Sequence, residues 1–310
     1  CVALSPLDEA LNYVQMDNSV CYAGPLAGHK PGVHNHSGGK VLVTHGPKLI
    51  QPKAGNWPTV KKFIEGMLLD PEGDQVAYLY GWLKVALKTL EKGEGYPGQA
   101  MVIAGGKGCG KSLMQNLITE MFGGRSAKPY QYMTGATNFN GDLFGAEHLM
   151  VEDEVATPDL RVRRKFGSEI KQMTVNQTNR YHPKGKQAIV LRPIWRLSIT
   201  LNDEPECLMV LPPIDDSLVD KIILLRAHRQ DLPTETEAQR KKFWEDLTGE
   251  LPAFMHWLEQ MEIPTYMASS RFGVSHFHHP ELIQAIQQLS PEMKLRGMIE
   301  GPVLKDRREW

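Results

Sequence analysis

Residues 99–122, QAMVIAGGKGCGKSLMQNLITEMF, constrain the fold more than any other stretch of the 310-residue chain. QAMVIAG reads as a buried strand and KSLMQNLITEMF as the helix after it, ended by Gly123 and Gly124. Between them Gly105, Gly110, Lys111 and Ser112 satisfy G-x-x-x-x-G-K-[ST]. Strand, glycine loop and helix in that order make a phosphate cradle. Backbone N–H groups face the anion at a helix N-terminus, where the dipole favours negative charge. Gly105, Gly106, Lys107, Gly108, Cys109, Gly110, Lys111 and Ser112 are therefore the expected nucleotide-binding residues. Lys111 is expected at the β- and γ-phosphates and Ser112 on Mg2+. A dinucleotide-type G-x-G-x-x-G fails, because its third glycine falls on Lys111.

The flanking pattern predicts an α/β fold with a mostly parallel sheet. AEHLMVEDE, WRLSITLN and DKIILLRA read as apolar strands, alternating with a basic helix over DLRVRRKFGSEIKQM. TVNQTNRYHPKGKQAIVLRP reads as two strands about a turn containing Pro183 and Gly185. Before this core, GKVLVT reads as a short strand, while WPTVKKFIEGML and DQVAYLYGWLKVALKTLEKG read as amphipathic helices. After Pro233 the pattern is helical, over TEAQRKKFWEDLTGELPAFMHWLEQM and PELIQAIQQLSPEMKLRGMIE. The expected division is a mainly helical N-terminal lobe (1–95), a nucleotide core (96–230) and a C-terminal helical segment (231–310).

LMVEDE places Asp153 and Glu154 at the carboxyl end of the second strand. A strand-end Asp suits the metal, and a following Glu suits activation of the attacking water, which favours hydrolysis over transfer. Glu152 leaves a one-residue ambiguity about which acid does what. SITLN ends on Asn202, an amide suited to the γ-phosphate or the water; it could equally start the turn NDEPE. The base-recognition motif N-K-x-D and the signature L-S-G-G-Q are both absent, which disfavours GTPases and transporter-type ATPases.

Charge is uneven. The chain carries −1 overall, but residues 161–196 hold ten basic side chains against the single acid Glu169, a local +9. The rest is −10. Such runs are often solvated faces, and are otherwise footprints of an anionic partner. The four cysteines are scattered, which disfavours zinc or a disulfide framework and points to a reducing compartment. His276, His278 and His279 lack Cys, Asp or Glu at ligand spacing. No apolar run reaches a membrane span. The chain opens on Cys1 and stops at RREW, which reads as a piece of a longer polypeptide.

The order Lys111, Asp153-Glu154, basic helix and hairpin, Asn202 occupies a compact stretch. It resembles the superfamily 3 helicases, AAA+ P-loop ATPases of viruses, phages and plasmids. Within them it is most similar to helicase domains attached to primases or primase-polymerases of phage and mobile-element replication proteins. FNGDLFGAEHLMVEDE, ITLNDEP and DDSLVDKI carry the likeness, over roughly residues 98–228. The resemblance implies an AAA+ type core, ATP and Mg2+, and a ring of identical subunits, a hexamer, with ATP between them. It makes Gly105–Ser112 the Walker A motif, Asp153 and Glu154 the Walker B pair, and Asn202 sensor 1. It makes NRYHPKGKQ a channel hairpin gripping single-stranded DNA through Arg180, His182, Lys184 and Lys186. Where many members carry an arginine finger for the neighbour's ATP, this chain has Asp220-Lys221, so Lys221, or else Arg161, Arg163 or Arg164, would serve. A primase or polymerase domain on the same full-length chain, no membrane, and the cytoplasm of a bacterium or phage-infected host complete the expectation. The competing readings are an AAA+ remodeller acting on protein and a small-molecule phosphotransferase.

Overall fold

A computed structural model describes residues 5–36, 39–152 and 159–288. The N-terminal part runs α1 (Pro6–Asn18), β1 (Val20–Gly24), β2 (Gly32–His36), β3 (Gly39–Val43), α2 (Pro58–Leu68) and α3 (Gln75–Lys92). The phosphate-loop unit follows as β4 (Ala100–Gly105), α4 (Lys111–Met121), β5 (Ser126–Ala127), α5 (Tyr130–Thr134) and β6 (His148–Glu152). Next come α6 (Leu160–Val175), β7 (Asn179–Tyr181), β8 (Ile189–Leu191), β9 (Arg196–Leu201), α7 (Pro205–Leu208) and β10 (Ile222–Ala227). The chain continues through α8 (Glu237–Gln260), β11 (Ala268–Ser269), β12 (Gly273–Val274) and α9 (Pro280–Gln288). The tail of the last expected helix, from residue 289, lies outside the described residues.

The main sheet has the order β10-β4-β9-β6-β5, and every pairing in it is parallel. The α/β class with a parallel sheet flanked by helices is therefore the observed one. β4, β9 and β10 are almost wholly buried because both faces of the sheet are covered; β4 is apolar on both sides, while β9 turns Arg196, Ser198 and Thr200 to one of its faces. Alternation sends Met101, Ile103, Ile223 and Leu225 into one core, with α2, α3, α4 and α8. Ala100, Val102, Leu197 and Ile199 enter the other, with α6 and α9. The helices of residues 58–92 and 237–260 thus share one core with the phosphate-loop helix.

The strand expected over GKVLVT is β3; it pairs with β1 in parallel and with β2 antiparallel. Neither β1 nor β2 is announced by alternation, since both are largely exposed. α1 is a capped helix standing clear of the cores, with Leu7, Leu11 and Val14 exposed. No described helix is long and apolar enough to cross a membrane.

Candidate nucleotide site and basic hairpin

β4 lies between β10 and β9, so the loop after Gly105 opens at the carboxyl edge of the sheet. Gly105 has no room for a side chain: a Cβ there would fall 2.3 Å from the Ala227 carbonyl oxygen. Gly110 sits at φ +99° against Phe63 and starts α4 without a side-chain cap. Those glycines let the loop fold tightly onto the N-terminus of α4, leaving its first N–H groups uncapped by any side chain.

Lys111 is the first residue of α4 and only 6% exposed. Its Nζ donates to the Gly105 carbonyl at 2.6 Å, the Gly106 carbonyl at 3.1 Å and Asn202 Oδ1 at 3.1 Å. The Cys109 sulfur is 3.9 Å away and buried. Among the described residues these acceptors are all neutral, an arrangement that a phosphate group completes. Ser112, next along the helix, is exposed, and Lys107 and Gly108 lie on the exposed rim. Two residues 91 positions apart in sequence, Lys111 and Asn202, therefore meet at one point. The residues present fit ATP and Mg2+ at this edge: glycine cradle, buried lysine, helix N-terminus and exposed hydroxyl.

Asp153 and Glu154 lie outside the described residues. Glu152, the other candidate acid, ends β6 opposite Thr200 of β9. Its carboxylate is 2.6 Å from Lys128 Nζ. Glu152 is thus ion-paired at the end of β6.

A polar layer behind the loop carries no motif. Gln115 of α4 donates to the Val151 carbonyl at 3.2 Å and Ser198 Oγ at 2.8 Å, and accepts from Thr200 Oγ1 at 3.1 Å. His148 bridges Ser198 Oγ at 2.7 Å and Thr119 Oγ1 at 2.8 Å. Burial alone pushes the His148 imidazole down to about 3. This layer fixes α4, and hence Lys111, relative to β6 and β9. Only the polar residues interrupting apolar strands, Ser198 and Thr200, hint at it in the sequence.

The two strands read around Pro183 are the antiparallel pair β7–β8, registered Arg180 to Val190. Arg180, Lys184 and Lys186 are exposed, and Gly185 takes the turn at φ +75°. His182 differs from them. Its ring packs on Phe139, with centroids 5.3 Å apart. Its backbone N–H donates to Asn140 Oδ1 at 2.7 Å, while Asn140 Nδ2 donates to the Arg180 carbonyl at 2.8 Å. Asn140 is buried, and braces the hairpin against the preceding loop.

The rest of the +9 segment divides. Arg161, Arg164 and Lys165 are exposed on α6. Arg163 is tied to the Leu211 carbonyl. Arg196 is buried, donates to the Trp195 carbonyl and Thr89 Oγ1, and is held down to about 10 by burial. Lys221 precedes β10 with its side chain 11% exposed. Its Nζ is 2.6 Å from Asp220, which also takes Arg271 at 2.6 Å. A trans role for Lys221 would require opening that pair, whereas Arg164 is exposed.

Two members of the remaining histidine motif make internal contacts. His279 is buried 3.1 Å from Asp70 Oδ2, a carboxylate shared with His228 at 2.5 Å. His278 faces the Ile222 carbonyl at 3.2 Å.

Residues 103–217 match the model of DUF5906, a family of unknown function. No curated protein matches the chain. Among solved structures, the apo C-terminal region of NrS-1 (305–718) overlays with a TM-score of 0.64 at 16% identity. That overlay covers 93% of this chain and 69% of the other. An A form of the same region gives 0.63 at 15% identity, over 97% and 70%. The JCV helicase overlays with a TM-score of only 0.36 at 14% identity, covering 81% and 67%, too loose a likeness to carry weight. The chain shares the fold of the NrS-1 C-terminal region.

Proposed function

We propose that the chain is an ATP-driven translocase on single-stranded DNA, the helicase module of a replication protein, working as a ring with ATP between subunits. The observation that carries this reading is the convergence of Lys111 and Asn202 at the carboxyl edge of the sheet, with a braced basic hairpin elsewhere in the same core. A phosphate loop with a polar amide at its lysine is the equipment of a hydrolase that senses its nucleotide. The hairpin supplies a surface for strand phosphates.

In this reading Lys111 exchanges its carbonyl partners for phosphate oxygens, and the uncapped N–H groups of α4 hold the same anion. Asn202, bonded to Lys111, reports the state of the phosphate to β9. Ser112 and Asp153 would hold Mg2+, which would supply charge neutralisation on the phosphate oxygens. Glu154 takes the proton of the attacking water. Arg180, Lys184 and Lys186 hold the strand, His182 orients the turn, and Arg164 is the exposed cation available to a neighbour. The segments 1–95, 96–230 and 231–310 are the N-terminal lobe, the ATPase core and the C-terminal helical segment, with a primase or polymerase on the full-length chain.

The test is ATPase rate with and without single-stranded DNA, alongside the solution mass with nucleotide. Stimulation by DNA together with assembly supports the reading. ATPase that ignores DNA shifts it to a protein remodeller.

A further inference from the structure

A second cationic feature lies at the opposite edge of the sheet. The loop before β2, β2 itself, the end of α3 and the segment after β8 enclose a cleft of about 530 Å3. Gly93–Gly95 lead from it towards β4, and Pro193–Ile194 lead into β9. It therefore opens at the amino-terminal ends of the strands whose carboxyl ends carry Lys111 and Asn202. Its walls hold exposed Lys30, Lys92 and Arg192 and the carboxylate Glu94.

Three imidazoles crowd the same wall. The His29 ring lies 5.4 Å from that of His34 and 5.6 Å from that of His36, between centroids. His29 Nε2 donates to the Arg192 carbonyl at 2.6 Å and His34 Nε2 to the Lys30 carbonyl at 2.8 Å. A carbonyl only accepts, so the neutral rings carry their protons there and turn a lone pair at Nδ1 away from it. His36 Nδ1 is buried with no hydrogen-bond partner among the described residues. Burial first, then neighbouring charge, holds His29 and His36 below the ordinary imidazole range; Arg192 is among the groups that repel His36. Three imidazoles beside three permanent cations is poor chemistry for a metal. Among the described residues no His, Cys, Asp or Glu group is set to hold one. It is good chemistry for an anion, which pairs with the cations and relieves the repulsion.

The position says which anion. Arg192 directly follows β8, so the cleft lies at the base of the hairpin whose turn carries Lys184 and Lys186. The six residue steps from Lys186 to Arg192 span at most about 22 Å. We propose that this cleft is a second site for the phosphodiester backbone of a nucleic-acid strand, with Lys30, Lys92 and Arg192 on phosphates and the three histidines completing the contact. It rests on the reading of the hairpin as a strand-binding element and extends that track from its turn to its base. A bound phosphate favours the imidazolium forms of His29 and His36, which burial otherwise opposes, so binding tightens as pH falls towards 6.

The experiment is anisotropy of a labelled oligothymidylate with the whole chain, across a salt series at pH 8 and pH 6. The double variant Lys30→Gln with Arg192→Gln is expected to lower the salt slope by about 1.4, at about 0.7 per phosphate on a single strand. His29→Gln with His36→Gln is expected to abolish most of the tightening at pH 6. Arg192→Lys should retain the slope, and Lys30→Gln alone, at an exposed position, keeps the test open if the double variant fails to fold. Wild-type slope and pH dependence in all cleft variants would overturn the proposal. If Lys184→Ala with Lys186→Ala still weakens binding in that case, the hairpin reading survives without the cleft. Binding of inorganic pyrophosphate at the cleft, with oligonucleotide affinity insensitive to it, would also overturn it. An oligonucleotide that does not bind the wild type sinks both readings.

Discussion

Lys111 is satisfied by two carbonyls and one amide, none of them charged. Removing it in Lys111→Ala takes away the only cation among those groups, so nucleotide binding should be lost; equilibrium binding of a fluorescent ATP analogue checks this. Glu154→Gln should instead retain binding and abolish hydrolysis, since an amide fits the site and is no base. Hydrolysis at the wild-type rate in that variant would reject the assignment and make Glu152, ion-paired to Lys128, the next candidate. His148 gives a stability prediction. Its imidazole falls from an ordinary 6.5 to about 3 because burial opposes the charged form. A depressed folded value stabilises above the unfolded one and is lost as pH falls, here from about 6.5 towards 3. Within that window it should contribute a slope of up to about 1.4 kcal/mol per pH unit. Urea unfolding at pH 7.5 and 5.5 should show the loss, and His148→Gln should be less stable at pH 7.5 with a shallower slope. An unchanged slope would mean that the ring is not kept neutral by the fold.

At the scale of elements, the β7–β8 hairpin is too short to stand alone, with three paired residues on each side. Asn140 supplies what it lacks, one acceptor and one donor to the hairpin backbone. Asn140→Ala should leave the partly buried His182 N–H and Arg180 carbonyl without this partner and cost about 1 kcal/mol or somewhat more. Thermal unfolding measures that cost, and weaker single-strand binding with basal ATPase retained would localise it to the hairpin. Lys184→Ala with Lys186→Ala should lower the salt slope for single-stranded DNA by about 1.4 without stability loss, because both side chains are exposed. An unchanged slope would return the turn to an ordinary solvated face. The hairpin was legible from Pro183 and Gly185 and the flanking β-formers. The role of Asn140 was not, because its partners lie 40 and 42 residues away.

For the molecule as a whole, ring assembly predicts a mass well above that of one subunit when ATP, Mg2+ and DNA are present. Analytical ultracentrifugation at full ATPase activity decides it, and a strictly monomeric mass would sink the idea. Arg164→Ala should lower ATPase while leaving nucleotide affinity near the wild type if its cation serves a neighbour. Equal rates in variant and wild type would remove it. Local pattern sufficed for the phosphate loop, because a tight glycine turn between a buried strand and a helix is set by neighbours within about twenty residues. It also sufficed for the parallel sheet, because strands covered on both faces read as mostly apolar runs. Tertiary structure decided what distance along the chain conceals. It brought Asn202 to Lys111, buried Arg196 out of the basic surface, and spent Lys221 on Asp220. It also gathered His29, His34, His36 and Arg192 around one cleft. Each of these depends on which strands become neighbours and which side chains lose water, and free energy of that kind is set by the folded environment rather than by residue type.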